Sequence, residues 1–393
     1  MLTRRGFIST GLRVGAGLAA GSAATFLSGC AHRVAGPATL PSVTNQITGS
    51  GSLKAHAAAH GLLTGAAVAI PLLRSDPAYA RVLSEQYSIL VAENAMKWKA
   101  LRPAPDRFSF GEADALVAFA EQNSIKVRGH NLCWHEALPD WFAVTVTKEN
   151  ARQFLTDHIM NVAGRYKGKM HSWDVVNEAV DAKSGRDDGL RKSPWFEMLG
   201  PDYLDIAFRT AREADPHALL TYNEYGIEYD NEEEAQKRAF TLQLLRRLKA
   251  ANVPLDAVGI QSHIRAGSSY SFGNGIREFM ASARQMGLQV FITEMDVNDD
   301  ELPDDDVAKV DHAIAAVYRD YLTTVLAEPA VTAVLTWGVS DGHTWLNNPM
   351  RKQRHPNRPQ RPLPFDENYR PKEAFFAMRD SFDKGMSRNL VND

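Results

Sequence analysis

The sequence predicts a single (β/α)8 TIM barrel, an α/β fold in which eight parallel strands close into one sheet with catalytic residues at the carboxyl ends of the strands. Two observations predict it. From residue 60 onward, short apolar segments rich in β-branched residues alternate eight times with longer segments of helical periodicity. Acidic and histidine side chains also recur where the strand segments end, and barrel enzymes build their active sites at that place.

The strand segments follow one another with a helical segment between each pair. They cover residues 62–68, 89–93, 126–134, 172–177, 219–223, 257–263, 290–295 and 334–339. Helical segments show one apolar face, as in the two sets Phe154, Leu155, Ile159, Val162 and Val310, Ile314, Val317, Tyr321. An open doubly wound sheet has the same alternation. Closure is favoured because polar residues at the strand ends would then meet at one rim: Glu93, His130, Glu178, Glu224, His263, Glu294 and Asp341.

Composition narrows the class of protein. Hydrophobic residues make up 44% of the 393 residues and charged residues 23%, which is typical of a globular protein with a large core and argues against disorder. The 44 Lys and Arg residues nearly balance the 47 Asp and Glu residues, so no basic face for nucleic acid is expected. The sequence therefore favours a neutral or weakly charged substrate.

The first thirty residues differ in composition from the rest of the chain. Residues 3–8, TRRGFI, resemble a twin-arginine export signal, and a weakly apolar stretch rich in Gly and Ala follows at 12–27. Residues 27–30, LSGC, resemble a lipobox, in which Cys30 becomes the lipidated first residue of the mature chain. The alternative is an ordinary cleaved signal in which Cys30 has no role. We therefore predict an exported protein, either a periplasmic, membrane-anchored lipoprotein or a secreted one.

The remaining chain reads as a linker followed by one domain. After the signal at 1–30, residues 31–50 contain Gly, Pro, Ser and Thr and predict a linker. No internal repeat or change of composition follows, so residues 51–386 predict one catalytic barrel and residues 387–393 a short tail. With Cys30 lipidated, Cys133 is the only other cysteine, so no disulfide is expected within the domain. We expect a monomer.

Two predicted strands end in a glutamate, and this pair predicts the chemistry. A buried strand has little reason to end in a carboxylate because an unpaired buried charge is costly, yet Glu178 and Glu294 both follow apolar strand residues. Glycoside hydrolysis needs one protonated carboxyl group and one ionised carboxylate. Two neighbouring carboxylates disfavour double ionisation, so one of the pair would stay protonated near neutral pH. For either residue alone, a structural ion pair is the alternative interpretation.

These segments resemble the family 10 glycoside hydrolases, which are (β/α)8 xylanases, from about residue 60 to residue 380. The resemblance implies that Glu178, in an Asn-Glu pair after the fourth strand, is the acid/base and that Glu294, in the Thr-Glu pair of the seventh strand, is the nucleophile. It also implies retention of anomeric configuration through a covalent glycosyl-enzyme intermediate. The expected substrate is xylan or xylo-oligosaccharides.

The resemblance also implies roles for supporting residues. His263 would contact the nucleophile and be held by Asp296, which points to the same side of its strand as Glu294. Gln261 would lie near the acid/base, and Asn177 would bind the sugar 2-hydroxyl. The remaining expected substrate-binding residues are Glu93, Asn94 and Lys97 after the second strand, His130 and Trp134 after the third, and Trp337 and Trp345 around the eighth.

Some features depart from the family pattern or have a simpler interpretation. Glu224 and Gly226 replace the Asp and Asn expected after the fifth strand, which leaves contacts to the leaving group open. The acidic run 299–306 fits a helix N-terminus, with a calcium site as the alternative. The basic, proline-rich run 351–362 fits a solvated loop, with contact to acidic xylan side groups as the alternative. His130 and His135 do not have the spacing of a metal site, and Cys133 reads as a buried apolar residue.

The sequence therefore predicts a retaining endo-1,4-β-xylanase that needs no cofactor or metal for its chemistry. A related retaining β-1,4-glycanase or an exo-acting xylosidase on the same barrel is the nearest alternative. A non-catalytic glycan-binding lipoprotein is a further one, although both glutamates are present. A metal-dependent barrel hydrolase would have a His-x-His pair after the first strand, and residues 60–73 contain none.

Overall fold

A closed barrel of parallel strands organises the computed structural model, which describes residues 46–303, 306–351, 355 and 358–388. The predicted signal, Cys30 and most of the predicted linker lie outside the described residues. The strands are β1 (Leu63–Val68), β2 (Ile89–Ala92), β3 (Lys126–Cys133), β4 (Ser172–Asn177), β5 (Leu219–Glu224), β6 (Ala257–Ile260), β7 (His263–Arg265), β8 (Gln289–Asn298) and β9 (Val331–Thr336).

The strands pair in an order that closes the sheet. All pairings are parallel, the order is β6-β5-β4-β3-β2-β1-β9-β8-β7, and β6 also pairs with β8. β7 is a short continuation of β6, separated from it by Gln261 and Ser262, and it pairs with β8 beyond the point where β6 ends. Eight strands thus form the closed barrel, as predicted. The last strand begins three residues earlier than expected and ends at Thr336, before Gly338 turns the chain with φ +121°.

Helices cover the outside of the barrel between successive strands. They are α1 (Leu53–Ala59), α2 (Ile70–Ser75), α3 (Pro77–Gln86), α4 (Trp98–Leu101), α5 (Gly111–Gln122), α6 (Phe142–Thr145), α7 (Ala151–Arg165), α8 (Pro194–Leu199), α9 (Asp202–Ala214), α10 (Glu232–Ala250), α11 (Asn274–Gln285), α12 (Val307–Val325) and α13 (Glu373–Lys384). The apolar faces predicted around residues 154–162 and 310–321 fall within α7 and α12. Leu155, Ile159, Val310 and Ile314 are fully or almost fully buried there.

The apolar core has two parts. The larger part fills the space between the outer face of the sheet and the helices. The smaller part lies inside the barrel and consists of Ala67, Ile89, Val91, Ala257, Phe291, Ala333, Leu335 and Trp337. Side chains therefore pack the barrel interior instead of leaving a channel.

The ends of the described chain pack on the barrel. Ile47, within the predicted linker, contacts the core, and its carbonyl accepts a hydrogen bond of 2.7 Å from Gln86 Nε2. Arg388, in the predicted tail, donates from its backbone amide to the His60 carbonyl at 3.1 Å. Within the described part of the chain, no helix is both long and apolar enough to cross a membrane. Cys133 is a buried free thiol.

Candidate active site

Glu178 lies at the carboxyl end of the barrel, directly after β4, and has a left-handed backbone conformation with φ +59°. Three side chains donate hydrogen bonds to its carboxylate: Gln261 Nε2 to Oε1 at 2.8 Å, Asn177 Nδ2 to Oε1 at 3.0 Å and Trp134 Nε1 to Oε2 at 2.9 Å. All three donors are uncharged. The structure therefore gathers Trp134, Asn177 and Gln261 around Glu178.

Burial raises the pKa of Glu178 to about 7, and the charges of Glu224 and Glu294 add to the rise. The hydrogen bonds from Gln261 and Trp134 oppose this shift without cancelling it, because neutral donors stabilise a carboxylate less than a cation does. Near neutral pH, the Glu178 carboxyl group can therefore hold a proton and release it.

Glu294 lies within β8 and has charged partners. His263 Nε2 lies 3.3 Å from Glu294 Oε2, and Asn223 Nδ2 donates to Glu294 Oε1 at 2.7 Å. The other ring nitrogen of His263, Nδ1, is 3.0 Å from Asp296 Oδ1. The imidazole of His263 thus bridges two buried carboxylates, as the sequence predicted.

Burial acts to raise the pKa of Glu294, yet the hydrogen bond from His263 and the charges of His130, His263 and Arg128 lower it to about 2. Burial likewise acts to lower the pKa of His263, but Asp296 and then Glu294 raise it well above its usual value. Glu294 is consequently ionised and His263 protonated across the range in which most enzymes work. The two glutamates therefore hold opposite protonation states near pH 6.

Asn223, near the end of β5, links Glu294 to Asn177, the neighbour of Glu178, and was not predicted. Its Nδ2 donates to Asn177 Oδ1 at 2.8 Å and to Glu294 Oε1 at 2.7 Å, while its Oδ1 accepts from Thr293 Oγ1 at 2.8 Å. Space for this amide comes from Gly259, where an added Cβ would lie 2.1 Å from Asn223 Oδ1. The only signal of Asn223 in the sequence is its position next to Glu224 near the end of a strand.

Aromatic side chains form the walls of the site. Trp345 Nε1 donates to Asp296 Oδ2 at 2.7 Å, and its ring centroid is 5.1 Å from that of His263. Trp337 lies nearly perpendicular to both His263 and His130, with ring centroids 6.4 and 5.2 Å apart. Because these indoles have apolar faces beside polar groups, they suit sugar rings, which present C–H faces and hydroxyl edges.

The three residues predicted after the second strand also reach this site. Lys97 Nζ donates to Asn94 Oδ1 at 3.0 Å and lies 5.3 Å and 5.7 Å from the ring centroids of Trp134 and Trp337. Burial lowers the pKa of Lys97, while the charges of Glu294 and Glu93 oppose that shift. Burial also raises the pKa of Glu93. The positive charge of Lys97 therefore interacts with the charges of Glu294, Glu93 and Glu178.

His130 occupies the barrel interior below the site. Its Nδ1 is 2.7 Å from Asp174 Oδ2, and Arg128 forms an ion pair with the same carboxylate. This pairing fixes the ring beside Trp337. Within the described ranges, no group of three or more His, Cys, Asp and Glu side chains is arranged to hold a metal ion. His135 is instead 3.7 Å from Glu136, and burial lowers the pKa of His135 to about 4.

Two of the polar residues at the strand ends serve the scaffold. Glu224 is fully buried, pairs with Lys237 Nζ at 2.9 Å and accepts from the Val180 amide at 3.1 Å. Asp341 pairs with Lys372 Nζ at 2.8 Å and accepts from the Leu363 amide at 3.0 Å. Both carboxylates are therefore held by lysines and backbone amides of the scaffold.

The acidic and basic runs after β8 and β9 contact each other. Asp299 forms a buried ion pair with Arg358 at 2.9 Å and accepts from the Arg361 amide at 2.7 Å. Arg351 places its guanidinium 4.1 Å from the ring centroid of Trp345, at the edge of the site. Positions 304–305, 352–354 and 356–357 lie outside the described residues. The pairing of Asp299 with arginine favours the structural interpretation of this part of the acidic run.

Comparison with known proteins agrees with this geometry. The sequence profile described as Glycosyl hydrolase family 10 matches residues 52–381. Endo-1,4-beta-xylanase B of Thermotoga neapolitana is 36% identical over 77% of this chain and 82% of its own length. Endo-1,4-beta-xylanase A of Caldicellulosiruptor sp. is 35% identical over 80% of this chain, which spans 45% of that relative. Xylanase 10B from Thermotoga petrophila, solved in complex with xylobiose, superposes with a TM-score of 0.76 at 34% identity, covering 85% of this chain and 97% of its own.

Proposed function

The chain belongs to glycosyl hydrolase family 10 and is a glycoside hydrolase, and on that premise we propose that it is an endo-1,4-β-xylanase. We propose that it cleaves xylan and xylo-oligosaccharides with retention of anomeric configuration. The xylanase names of its relatives and the xylobiose bound by a structural neighbour support the substrate. The aromatic walls around Trp337 and Trp345 suit a sugar chain of this kind.

One observation carries the mechanism: of two buried glutamates in one site, Glu178 has only neutral hydrogen-bond donors, whereas Glu294 lies 3.3 Å from His263. Burial accordingly raises the pKa of Glu178 to about 7, while the contact with His263 helps to lower that of Glu294 to about 2. Glycoside hydrolysis by double displacement needs a carboxyl group that is protonated at the start and a carboxylate that is ionised. Glu178 has the first property because burial raises its pKa and its neutral donors oppose that rise only in part. Glu294 has the second because His263 carries a positive charge beside it.

In the first step, the Glu178 carboxyl group donates its proton to the glycosidic oxygen while Glu294 attacks the anomeric carbon. The bond to the leaving sugar breaks, and an ester forms between the sugar and Glu294. In the second step, Glu178, now ionised, takes a proton from water as the water oxygen attacks the same carbon. Glu294 leaves as a carboxylate, and Glu178 is protonated again. Asn223 and His263 hold the Glu294 oxygens ready for attack.

A product profile tests the proposal. The protein is incubated with xylan, a ladder of xylo-oligosaccharides and mixed-linkage β-glucan. Cleavage within chains should release short xylo-oligosaccharides early and deplete long chains faster than trimming from their ends would. Proton NMR of the first products should show the β-anomer before mutarotation. Release of xylose alone from chain ends would point to an exo-xylosidase, and preference for the β-glucan would point to a related glycanase. An initial α-anomer would overturn retention.

We further propose that the protein is exported and anchored by a lipid on Cys30, and that the catalytic domain is a monomer. The sequence resemblance of residues 3–8 and 27–30 to an export signal and a lipobox supports the export proposal. A Cys30→Ser variant should no longer incorporate labelled fatty acid or sediment with membranes, and replacement of Arg4 and Arg5 by Lys should leave the precursor in the cytoplasm. Sedimentation of residues 46–393 should give the mass of one chain.

A further inference from the structure

One edge of β7 is completed by side chains. β7 pairs with β8 along one edge and ends the strand order of the sheet. Beside its other edge runs the loop that joins β5 to α10, residues 225–231. Two backbone amides at that edge, those of Ser262 and Arg265, donate to side chains of this loop instead of to a strand.

Ser262 explains why a side chain is needed there. Its φ of +67° breaks the strand between β6 and β7, while its carbonyl still accepts from the Asp296 amide at 3.3 Å. The Ser262 amide turns away from the ladder and donates to Glu228 Oε1 at 2.9 Å. Glu228 is 34 residues away in sequence and almost fully buried. An amide left unpaired in this position would be costly, so the carboxylate stabilises the break.

The same loop holds β7 a second time. The Arg265 amide donates to the Tyr229 hydroxyl at 2.6 Å, and that hydroxyl is 3.3 Å from the Arg265 carbonyl. The other oxygen of Glu228, Oε2, accepts from the Ile227 amide at 2.7 Å, which fixes the carboxylate within its own loop. Glu228 and Tyr229 therefore take the place that a neighbouring strand would occupy.

The break at Ser262 separates the two side chains that control the catalytic pair. Gln261, on one side of Ser262, donates to Glu178, and His263, on the other side, contacts Glu294. We propose that Glu228 is a positioning residue that aims Gln261 and His263 at the two glutamates, with Tyr229 as its support. This inference rests on the proposed function, because it concerns how the two carboxylates keep their different protonation states.

Glu228 is buried close to a second carboxylate, and this arrangement carries an electrostatic cost. Burial raises the pKa of Glu228, the charge of Glu234 adds to the rise, and the amides of Ser262 and Ile227 together with Lys237 oppose it. A buried carboxylate beside a second one is unfavourable for folding alone. Both of its oxygens accept backbone hydrogen bonds, which offset part of this cost.

The test compares Glu228→Ala with wild type and with a matched control. Loss of the carboxylate should let the break at Ser262 relax and move both supporting side chains. Such displacement lowers kcat/KM by about tenfold to a hundredfold. In wild type the Gln261 hydrogen bond lowers the pKa of Glu178, so its loss should raise that pKa. The alkaline limb of the pH profile should therefore move to higher pH. The acid limb should move upward too, because the His263 contact lowers the pKa of Glu294.

Asp215→Ala is the control. Asp215 is also fully buried and accepts from two backbone amides, Gly168 at 3.3 Å and His217 at 3.2 Å, but it precedes β5 at the opposite end of the barrel. This variant should lower the unfolding temperature without moving either limb. The inference is overturned if the Glu228 variant has the limbs of wild type and loses only the activity that its unfolded fraction explains.

Two further measurements keep the test decisive. If Glu228→Ala does not fold, Glu228→Gln is measured in the same way. The Gln oxygen can accept from one backbone amide, but its NH2 group cannot accept from the other. A pH profile like that of wild type in this variant would also overturn the inference. Hydrogen exchange at residues 258–266 should be faster in either Glu228 variant than in Asp215→Ala. This readout needs no turnover, so a wild-type protein without xylanase activity would refute the proposed function and leave the positioning contact separately testable.

Discussion

The surroundings of Glu178 and Glu294 differ although both residues are buried glutamates in one site. Glu178 accepts hydrogen bonds from one indole and two side-chain amides, all of them uncharged. Glu294 accepts from an amide and contacts an imidazole that is itself held by Asp296. The difference teaches that burial alone does not set the protonation state of a carboxyl group. The charge of the donor decides whether the pKa rises or falls.

The strongest way to break this comparison is to remove the ionised partner. Glu294→Ala deletes the attacking oxygen, and we expect kcat on xylan to fall by about 10⁴-fold or more. Circular dichroism should stay close to that of wild type, since His263 keeps Asp296 as a charged partner. Added azide should restore turnover of an activated aryl xyloside and give the α-xylosyl azide. Undiminished hydrolysis by the variant would remove Glu294 from the mechanism.

Removal of the protonated partner should cost less. Glu178→Gln keeps the shape of the side chain but cannot donate a proton, and we expect kcat on xylan to fall by about 10² to 10⁴-fold. Aryl xylosides with a good leaving group need no proton for the first step, so their glycosylation rate should be nearly unchanged, as measured by the burst of released phenol. An equal loss on both kinds of substrate would contradict the assignment of Glu178 as the acid.

The smallest change exchanges the charged donor for a neutral one. In wild type, kcat/KM should fall above pH 7 as Glu178 loses its proton and should fall below about pH 2 as Glu294 gains one. His263→Asn removes the charge that lowers the pKa of Glu294, so the acid limb should move up by about one pH unit or more. The alkaline limb is the internal control, because His263 does not contact Glu178. A shift of the alkaline limb alone would show that the charge acts elsewhere.

Much of the fold was predictable because its signals are local. Eight apolar segments separated by one-faced helices predict a barrel, and the predicted helical faces around 154–162 and 310–321 are buried as expected. Strand ends were harder to place. Parallel strands are buried on both faces, so no alternation marks where one stops, and β9 was placed three residues late for that reason. The break at Ser262 was missed because the acceptor of its amide, Glu228, is 34 residues away in sequence.

The candidate site was predictable where a residue type and its place in a motif agree. Glu178, Glu294, His263 and Asp296 fall in motifs of the family, and the contacts of His263 with Glu294 and Asp296 are those that the resemblance implies. Asn223 was missed because an amide near a strand end has the same sequence signal whether it faces solvent or donates to Asn177 and Glu294. Glu224 misled in the opposite direction, since only the fold reveals Lys237 as its partner.

Gly259 supports the catalytic pair indirectly, through the space it leaves for Asn223. A methyl group there would collide with the oxygen of Asn223, and Asn223 holds both Glu294 and the asparagine beside Glu178. A substitution at position 259 should therefore lower activity as a change in the catalytic pair would, even though Gly259 lies in the barrel wall. A mutagenesis study confined to residues that line the cleft would overlook this position.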